Sequence, residues 1–164
     1  MLSVLIPASN EADYIGPCLS ALFASEGVTG QAIVIANGCR DRTADVARGV
    51  DPRGWDLRVI ERPEGGKPAA LNAGDAAAAH GLRVYLDADV TVSRGVMAAL
   101  AQALGAQAPR YASGTPHIPR AQSAVTRAYA RVWQRLPFNL IPAPGYGLFA
   151  VNAVGRARWG RFRH

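Results

Sequence analysis

Two aspartates separated by one residue are the clearest chemical feature of the sequence. Asp87 and Asp89 flank the small residue Ala88, directly after the apolar run Val84 to Leu86. Carboxylates placed in this way can share one hard cation. Mg²⁺ and Mn²⁺ favour such oxygen ligands and keep waters and substrate phosphate oxygens in their shell. The alternative is an ordinary turn at the end of a strand, where aspartate is common.

Three other polar segments also follow apolar runs. They are Pro7 to Glu11, Asn37 to Asp41, and Gly65-Gly66-Lys67. Because ligands of a parallel sheet bind outside the carboxyl ends of its strands, we expect all of these segments at one ligand-binding edge. The two glycines let backbone approach a ligand, and Lys67 opens a helix whose N-terminus favours an anion. Gly-Gly-Lys also fits a simple turn, and the spacing is not that of a Walker A loop.

The elements that position these residues alternate between strands and helices. Strands are predicted at Leu2 to Ile6, Gln31 to Ala36, Leu57 to Glu61, Leu82 to Leu86, Tyr111 to Ile118 and Gly147 to Val151. Helices are predicted at Ile15 to Ser25, Thr43 to Arg48, Lys67 to His80, Ser93 (as N-cap) to Leu104, and Gln122 to Leu136. This alternation predicts βαβ units, an α/β fold and a mostly parallel sheet.

The composition is that of one globular domain. The chain has 164 residues, 49% of them hydrophobic, and no apolar stretch approaches the roughly 20 residues that cross a bilayer. The N-terminus lacks the basic region and cleavage site of a signal peptide. Cys18 and Cys39 match no metal-binding spacing, so a reduced, cytoplasmic setting is the simplest interpretation.

Charge is distributed unevenly along the chain. Residues 1–89 contain all 12 acids and 8 basic residues, whereas residues 90–164 contain 10 arginines and no acid. This asymmetry indicates an anionic partner such as a diphosphate, a membrane surface or nucleic acid, unless the basic half is simply a solvated face. No recognised nucleic-acid motif is present and the acids cluster at the predicted sheet edge, so we expect no nucleic-acid partner.

The predicted helix Gln122 to Leu136 is basic and amphipathic. Arg127, Arg131 and Arg135 recur every four residues, opposite an apolar stripe. A surface helix packed by its apolar side explains this pattern. The functional alternative is a shelf for a lipid-linked or phosphorylated acceptor, with peripheral contact at the inner face of a membrane.

Four segments carry a family resemblance by their order and spacing. They are Val4-Leu5-Ile6-Pro7-Ala8-Ser9-Asn10-Glu11, Ile35-Ala36-Asn37-Gly38-Cys39-Arg40-Asp41-Arg42-Thr43, Gly66-Lys67-Pro68-Ala69-Ala70-Leu71-Asn72-Ala73-Gly74 and Leu86-Asp87-Ala88-Asp89. With them the chain resembles the inverting family 2 glycosyltransferases of GT-A fold. The resemblance implies a Rossmann-like three-layer α/β/α sandwich in one domain, residues 1–164. Residues 1–90 would form its nucleotide-sugar-binding half and residues 91–164 a partial acceptor-side half.

The resemblance also implies a nucleoside pocket. Pro7, Ala8 and Glu11 would line this pocket, with Glu11 near the ribose. Asn37 and its turn would face the base. The family often has two acids where this chain has Ala36 and Asn37, so the resemblance leaves recognition of uracil open and permits guanine.

The implied partners are a nucleoside diphosphate-sugar donor and a hydroxyl acceptor, with Mg²⁺ or Mn²⁺ as cofactor. Lys67 would lie near the diphosphate. Asp87 would contact the ribose or a metal-bound water, Asp89 would ligate the metal, and the pair would form the metal site. The metal would offset charge on the leaving diphosphate, and the sugar would transfer with inversion.

The catalytic base of the resembling family is an acid that we expect beyond His164. Residues 90–164 contain no acid, and His117 and His164 are the remaining alternatives. The chain is therefore expected to be truncated before its base, with the apolar end at Trp159 and Phe162 lacking a packing partner. A non-catalytic nucleotide-binding module is the rival hypothesis.

Overall fold

The computed structural model describes residues 1–117, 123 and 146–163. The predicted helix Gln122 to Leu136, with Arg127, Arg131 and Arg135, lies outside the described residues except for Ser123. The predicted loop after it, as far as residue 145, and His164 lie outside them as well. The strands are β1 (Leu2–Ala8), β2 (Gly30–Asn37), β3 (Asp56–Arg62), β4 (Arg83–Leu86), β5 (Tyr111–Ser113) and β6 (Leu148–Val151). The helices are α1 (Ile15–Phe23), α2 (Thr43–Arg48), α3 (Lys67–Ala77), α4 (Val96–Ala103) and α5 (Ala153–Arg156).

All six strands form one sheet in the order β3-β2-β1-β4-β6-β5. The four strands β1 to β4 are parallel, and β6 pairs antiparallel with both β4 and β5. The predicted mostly parallel sheet is confirmed. Because β1 has β2 on one side and β4 on the other, the winding of the chain reverses between β1 and β4. This reversal is the place where open α/β sheets bind ligands.

Side chains of successive strand residues point to opposite faces, so each face of the sheet has its own core. Val4 and Ile6 belong to a cluster that includes buried residues of α1, α2 and α4. Leu5 packs on the other face with Ile33 and with residues of α3. Helices therefore cover both faces, and the three-layer α/β/α architecture is confirmed.

Three predicted helix boundaries are wrong, and one of them is the end of α1, which lies at Phe23 rather than Ser25. Ser93 does not cap α4 with its side chain, because the helix begins at Val96 with Gly95 as its N-cap. Helix α3 ends at Ala77 rather than His80. The backbone N–H groups of Ala79 and His80 donate instead to Gln31 Oε1 at 3.0 Å and to Ser3 Oγ at 3.1 Å. Strand side chains thus compete with the last helical turn.

The expectation that the apolar end lacks a packing partner is wrong for Phe162. Its ring lies 5.4 Å from that of Tyr85 in an edge-on arrangement, within the core that contains α3. The side-chain amide of Asn72 donates to the Phe162 carbonyl at 3.0 Å and accepts from its N–H at 2.9 Å. Trp159 stays 37% exposed. Within the part of the chain that the structure describes, no helix is long and apolar enough to span a bilayer.

Candidate functional site

Six of the seven predicted site residues line one open cavity of about 400 Å³. The cavity lies at the carboxyl ends of β1 and β4, where the winding reverses. Its lining residues are Pro7, Ser9, Glu11, Asn37, Gly66, Lys67, Asp87, Ala88 and Asp89. Its size falls within the range of sites for small ligands. The structure thus brings together residues that lie up to 82 positions apart in the sequence, as Pro7 and Asp89 do.

Ala8 is the predicted site residue that does not line this cavity. Its side chain is buried, at 1% exposure, and its carbonyl oxygen accepts from Asn37 Nδ2 at 2.9 Å. The same oxygen lies 3.5 Å from the Cys39 thiol. Ala8 is therefore part of the wall behind the cavity.

Lys67 and Asp87 form an ion pair across the cavity, with Lys67 Nζ 2.6 Å from Asp87 Oδ1. Lys67 is the first residue of α3 and Asp87 follows β4, so the pair joins the start of α3 to the end of β4. Both side chains remain partly exposed, at 58% and 35%. The lysine is thus placed to exchange its carboxylate partner for an anionic ligand that enters the cavity.

Gly147 positions Asp87, and the sequence analysis missed it. The Asp87 N–H donates to the Gly147 carbonyl at 2.7 Å. Gly147 has φ +73°, and a Cβ there would lie 2.5 Å from a methyl group of Val90. Glycine is required for this close approach. A glycine as the first residue of a predicted strand was the available signal, but its contact with Asp87 depends on the pairing of β6 with β4.

Asp41 and Thr43 hold the backbone at Glu11 in place, and the sequence analysis did not predict this role for them. The Glu11 N–H donates to Thr43 Oγ1 at 2.8 Å, and the Ala12 N–H donates to Asp41 Oδ2 at 3.1 Å. The Thr43 hydroxyl in turn donates to Asp41, which lowers the pKa of that carboxyl. These contacts tie the loop after β1 to the loop after β2. Asp41 and Thr43 belong to the second family segment, but their spacing alone does not show which loop they hold.

The carboxylates around the cavity repel one another. Partial burial raises the pKa of Glu11 above its usual value, and the charges of Asp89, Asp41 and Asp87 raise it further. Such a cluster of hard oxygen donors suits a divalent cation. Among the described residues, no three His, Cys, Asp or Glu side chains come close enough to hold a metal by themselves. The arrangement fits a cation bound by one or two carboxylates and completed by water and phosphate oxygens.

Glu11→Gln is expected to raise the melting temperature of the metal-free protein at pH 7. The folded pKa of Glu11 lies above 4.5, so its protonation stabilises the fold, and this stability is lost as pH rises through the folded pKa. Glutamine removes the repulsion at neutral pH. Below about pH 4.5 residue 11 is neutral in the wild type as well as in the variant, so the two proteins should melt alike. Thermal unfolding with chelator between pH 4 and 8 measures this, and an equal difference at every pH would contradict it.

A second cavity of about 610 Å³ lies beside the first, and Asp89 lines both. Its other lining residues include aliphatic side chains and a polar rim with His117. They are Val90, Thr91, Val92, Ser93, Val96, Gly114, Thr115, Pro116, His117, Tyr146 and Leu148. The sequence analysis did not predict this cavity, because it depends on the pairing of β6 with β4 and β5. Asp89 therefore lies at the boundary between the two cavities.

The comparison with known families agrees with this fold. The profile of the family described as Glycosyl transferase family 2 matches residues 3–162. The chain belongs to that family. No curated protein matches the chain significantly.

Three solved structures share the fold. The mannosyltransferase PcManGT from Pyrobaculum calidifontis, solved with GDP-Man and Mn²⁺, is 21% identical with a TM-score of 0.72; the match covers 92% of this chain and 44% of that one. The glucosyl-3-phosphoglycerate synthase of Mycobacterium tuberculosis, solved with Mn²⁺, UDP and glucosyl-3-phosphoglycerate, is 22% identical with a TM-score of 0.65, over 93% and 57% of the two chains. S. aureus TarS, solved with UDP, is 18% identical with a TM-score of 0.59, over 63% and 32%. The chain thus spans between about a third and just over half of these proteins.

Proposed function

We propose that this chain binds a nucleoside diphosphate-sugar together with Mg²⁺ or Mn²⁺, as the donor-binding portion of an inverting glycosyltransferase. The observation that carries the proposal is the cavity at the carboxyl ends of β1 and β4, which is lined by Glu11, Lys67, Asp87 and Asp89. Residues 1–90 would form the donor half and residues 91–164 part of the acceptor side. That PcManGT was solved with GDP-Man and Mn²⁺ supports a similar ligand here.

Each residue of the cavity has a proposed task. Pro7 and Glu11 contact the nucleoside, with the Glu11 carboxylate near the ribose hydroxyls. Asp87 and Asp89 would hold the metal, whose charge would offset the negative charge on the leaving diphosphate. Lys67 would exchange Asp87 for a phosphate oxygen and so free a carboxylate oxygen of Asp87 as a metal ligand. The start of α3 adds N–H groups that favour the same anion.

The second cavity is the proposed site of the acceptor hydroxyl, because Asp89 places it directly beside the donor cavity. Its described walls include Val90, Val92, Val96 and Leu148, which suit an acceptor with an apolar body, such as a lipid-linked one. The basic segment 122–136 would add contact with anionic lipid and so place a cytoplasmic protein at the inner face of a membrane.

Calorimetric titration of UDP and GDP, with Mn²⁺ or with chelator, tests the donor site. We expect binding with Mn²⁺ and a loss on the order of 10- to 100-fold with chelator, since a charge-assisted contact contributes about 1.5–3 kcal/mol. Asp89→Asn should weaken Mn²⁺-dependent binding by a similar factor.

Asp51→Asn is the matched control for the loss of one negative charge. Asp51 is exposed and lies in the segment between α2 and β3, where its Oδ1 accepts a hydrogen bond from the Arg53 N–H at 3.1 Å. This segment lies at the opposite end of the strands from the cavity, so the substitution should leave nucleotide affinity unchanged. Equal affinity with and without chelator would refute the metal role of Asp87 and Asp89.

A further inference from the structure

We infer that Asn37 is a positioning residue that holds the Gly66-Lys67 loop for the diphosphate, and that its side chain does not read the base. The inference rests on the proposed function, because it concerns the same donor cavity. It changes the role expected for Asn37 from the sequence, where this residue was placed against the base.

The side chain of Asn37 is buried, at 2% exposure, and its hydrogen-bonding groups are engaged within the protein. Nδ2 donates to the Ala8 carbonyl at 2.9 Å and to the Ile35 carbonyl at 3.3 Å. Oδ1 accepts from the Gly66 N–H at 3.0 Å. An amide nitrogen has two protons to donate, and both are used. Asn37 therefore has no donor left for a base, and turning the side chain towards one would break three contacts.

The contact with Gly66 fixes the residue that precedes Lys67. Gly66 is the N-cap of α3 and has φ +130°, a conformation that only glycine adopts readily. As a glycine, Gly66 has no side chain with which to cap α3. The amide oxygen of Asn37 thus holds the turn from which Lys67 extends toward Asp87.

The neighbouring Gly38 fits the loop against the same turn. Gly38 has φ +60°, and a Cβ there would lie 2.8 Å from both N and Cα of Gly65. Its N–H donates to the Arg62 carbonyl at 2.9 Å, at the end of β3. Backbone of the loop therefore packs directly on backbone of the turn at residues 37–38. The end of β2 therefore fixes the backbone path of the Gly66-Lys67 loop.

Mn²⁺-pyrophosphate separates the two roles, because this ligand has phosphates and no base. If Asn37 holds the loop, Asn37→Ala should weaken binding of Mn²⁺-pyrophosphate, UDP and GDP alike, by about 10-fold, as expected for loss of a hydrogen bond that orders a charged site. The ratio of UDP to GDP affinity should not change. In a Lys67→Ala background the further effect of Asn37→Ala on pyrophosphate should be small, because the group being positioned is absent.

Asn152→Ala is the matched control for loss of a buried amide. Asn152 is 5% exposed and makes a similar set of backbone contacts, including Nδ2 to the Ala108 carbonyl at 2.7 Å and Oδ1 from the Gly155 N–H at 2.9 Å. It follows β6, whose Val151 pairs with Arg83 at the start of β4, so it lies at the opposite edge of the sheet. Asn152→Ala should lower stability as Asn37→Ala does, while leaving pyrophosphate affinity within twofold.

Hydrogen exchange of the Gly66 amide decides the inference without any ligand. In the wild type this amide should exchange at least about tenfold more slowly than an unprotected amide, and Asn37→Ala should remove that protection. If nucleotides fail to bind the wild type, the proposed function fails, and the exchange measurement still tests the loop contact. Fast exchange of Gly66 in the wild type would overturn the inference. So would an Asn37→Ala variant that changes the UDP to GDP ratio but keeps pyrophosphate affinity.

Discussion

Asp75→Ala is expected to lower the free energy of unfolding by about 3–5 kcal/mol, the usual cost of breaking a buried charge pair. The Asp75 side chain is 11% exposed, and Arg156 Nη2 lies 2.6 Å from its Oδ2. Its Oδ1 accepts from the Tyr85 hydroxyl at 2.9 Å and lies 3.6 Å from Arg83 Nε. Burial and the adjacent carboxylate both raise the pKa of Tyr85, so the phenol stays protonated as a donor.

The cost is large because two partly buried arginines lose their counter-charge together. The side chains of Arg83 and Arg156 are only 16% and 19% exposed. Among the residues that the structure describes, Nε and Nη1 of Arg83 already have no hydrogen-bond partner within 3.5 Å. Alanine would leave both guanidinium groups without the carboxylate that offsets their desolvation. Asp75→Asn keeps the shape and one acceptor, so we expect it to cost less than alanine.

Denaturant unfolding of the wild type and of each variant measures this effect. Glu26→Ala is the control, because Glu26 pairs with Arg94 at 3.0 Å with both side chains about 70% exposed, at 68% and 72%. Exposed pairs contribute about 0–1 kcal/mol. If Asp75→Ala and Glu26→Ala lower stability by similar amounts, the buried cluster contributes no more than a surface pair and this interpretation is wrong.

The Asp75 cluster also matters for the site. Asp75 lies on α3, whose first residue is Lys67, and Arg83 and Tyr85 lie on β4, which leads to Asp87. Arg156 belongs to α5 and links both elements to the C-terminal segment. The cluster therefore joins α3 to β4 at a distance from the cavity. Lys67 begins α3 and Asp87 follows β4, so the cluster helps to place the Lys67–Asp87 pair. A variant at Asp75 that still folds should bind nucleotide less tightly, since this pair would be less well placed.

Local patterns predicted the parallel half of the fold well. Helix α2 was predicted at its observed bounds, and β1, β2 and β3 each extend the predicted apolar runs by one or two residues. Strands β1 and β2 are buried on both faces, so they appear as continuous apolar segments bounded by turns, whereas the edge strand β3 is only partly buried. Since parallel strands bring their carboxyl ends to one edge, the same patterns were sufficient to group Pro7, Glu11, Asn37, Lys67, Asp87 and Asp89.

Features that depend on long-range pairing could not be predicted in this way. Strand β6 lies between β4 and β5 and runs antiparallel to both, and no local signal specifies that neighbour. The contact of Gly147 with Asp87 and the second cavity both follow from this insertion. The hydrogen bonds of the Asn37 amide could not be predicted for a related reason. An asparagine at the end of a strand has the same local sequence whether its amide faces a ligand or a neighbouring loop.

Residues 1–164 are expected to bind the donor well and to transfer its sugar about 10²–10⁴-fold more slowly than a family 2 enzyme that has a carboxylate base, the usual contribution of a general base. The acceptor hydroxyl must lose a proton as it attacks the anomeric carbon. Residues 90–164 contain no acid. Of the described residues that line the second cavity, Asp89 is the one carboxylate, and it is assigned to the metal. Slow hydrolysis of the donor by water should persist, because stabilisation of the leaving diphosphate does not need the base.

The experiment measures three quantities on one preparation: donor affinity, donor hydrolysis and sugar transfer to a hydroxyl acceptor, with a full-length family 2 enzyme assayed in parallel. Tight binding with slow hydrolysis and little transfer is the expected result. Binding with neither reaction would favour the rival hypothesis of a non-catalytic nucleotide-binding module. Transfer as fast as in the full-length enzyme would show that a base lies within residues 1–164. His117→Gln would then be the informative variant, because His117 lines the second cavity together with Asp89 and histidine is a common general base.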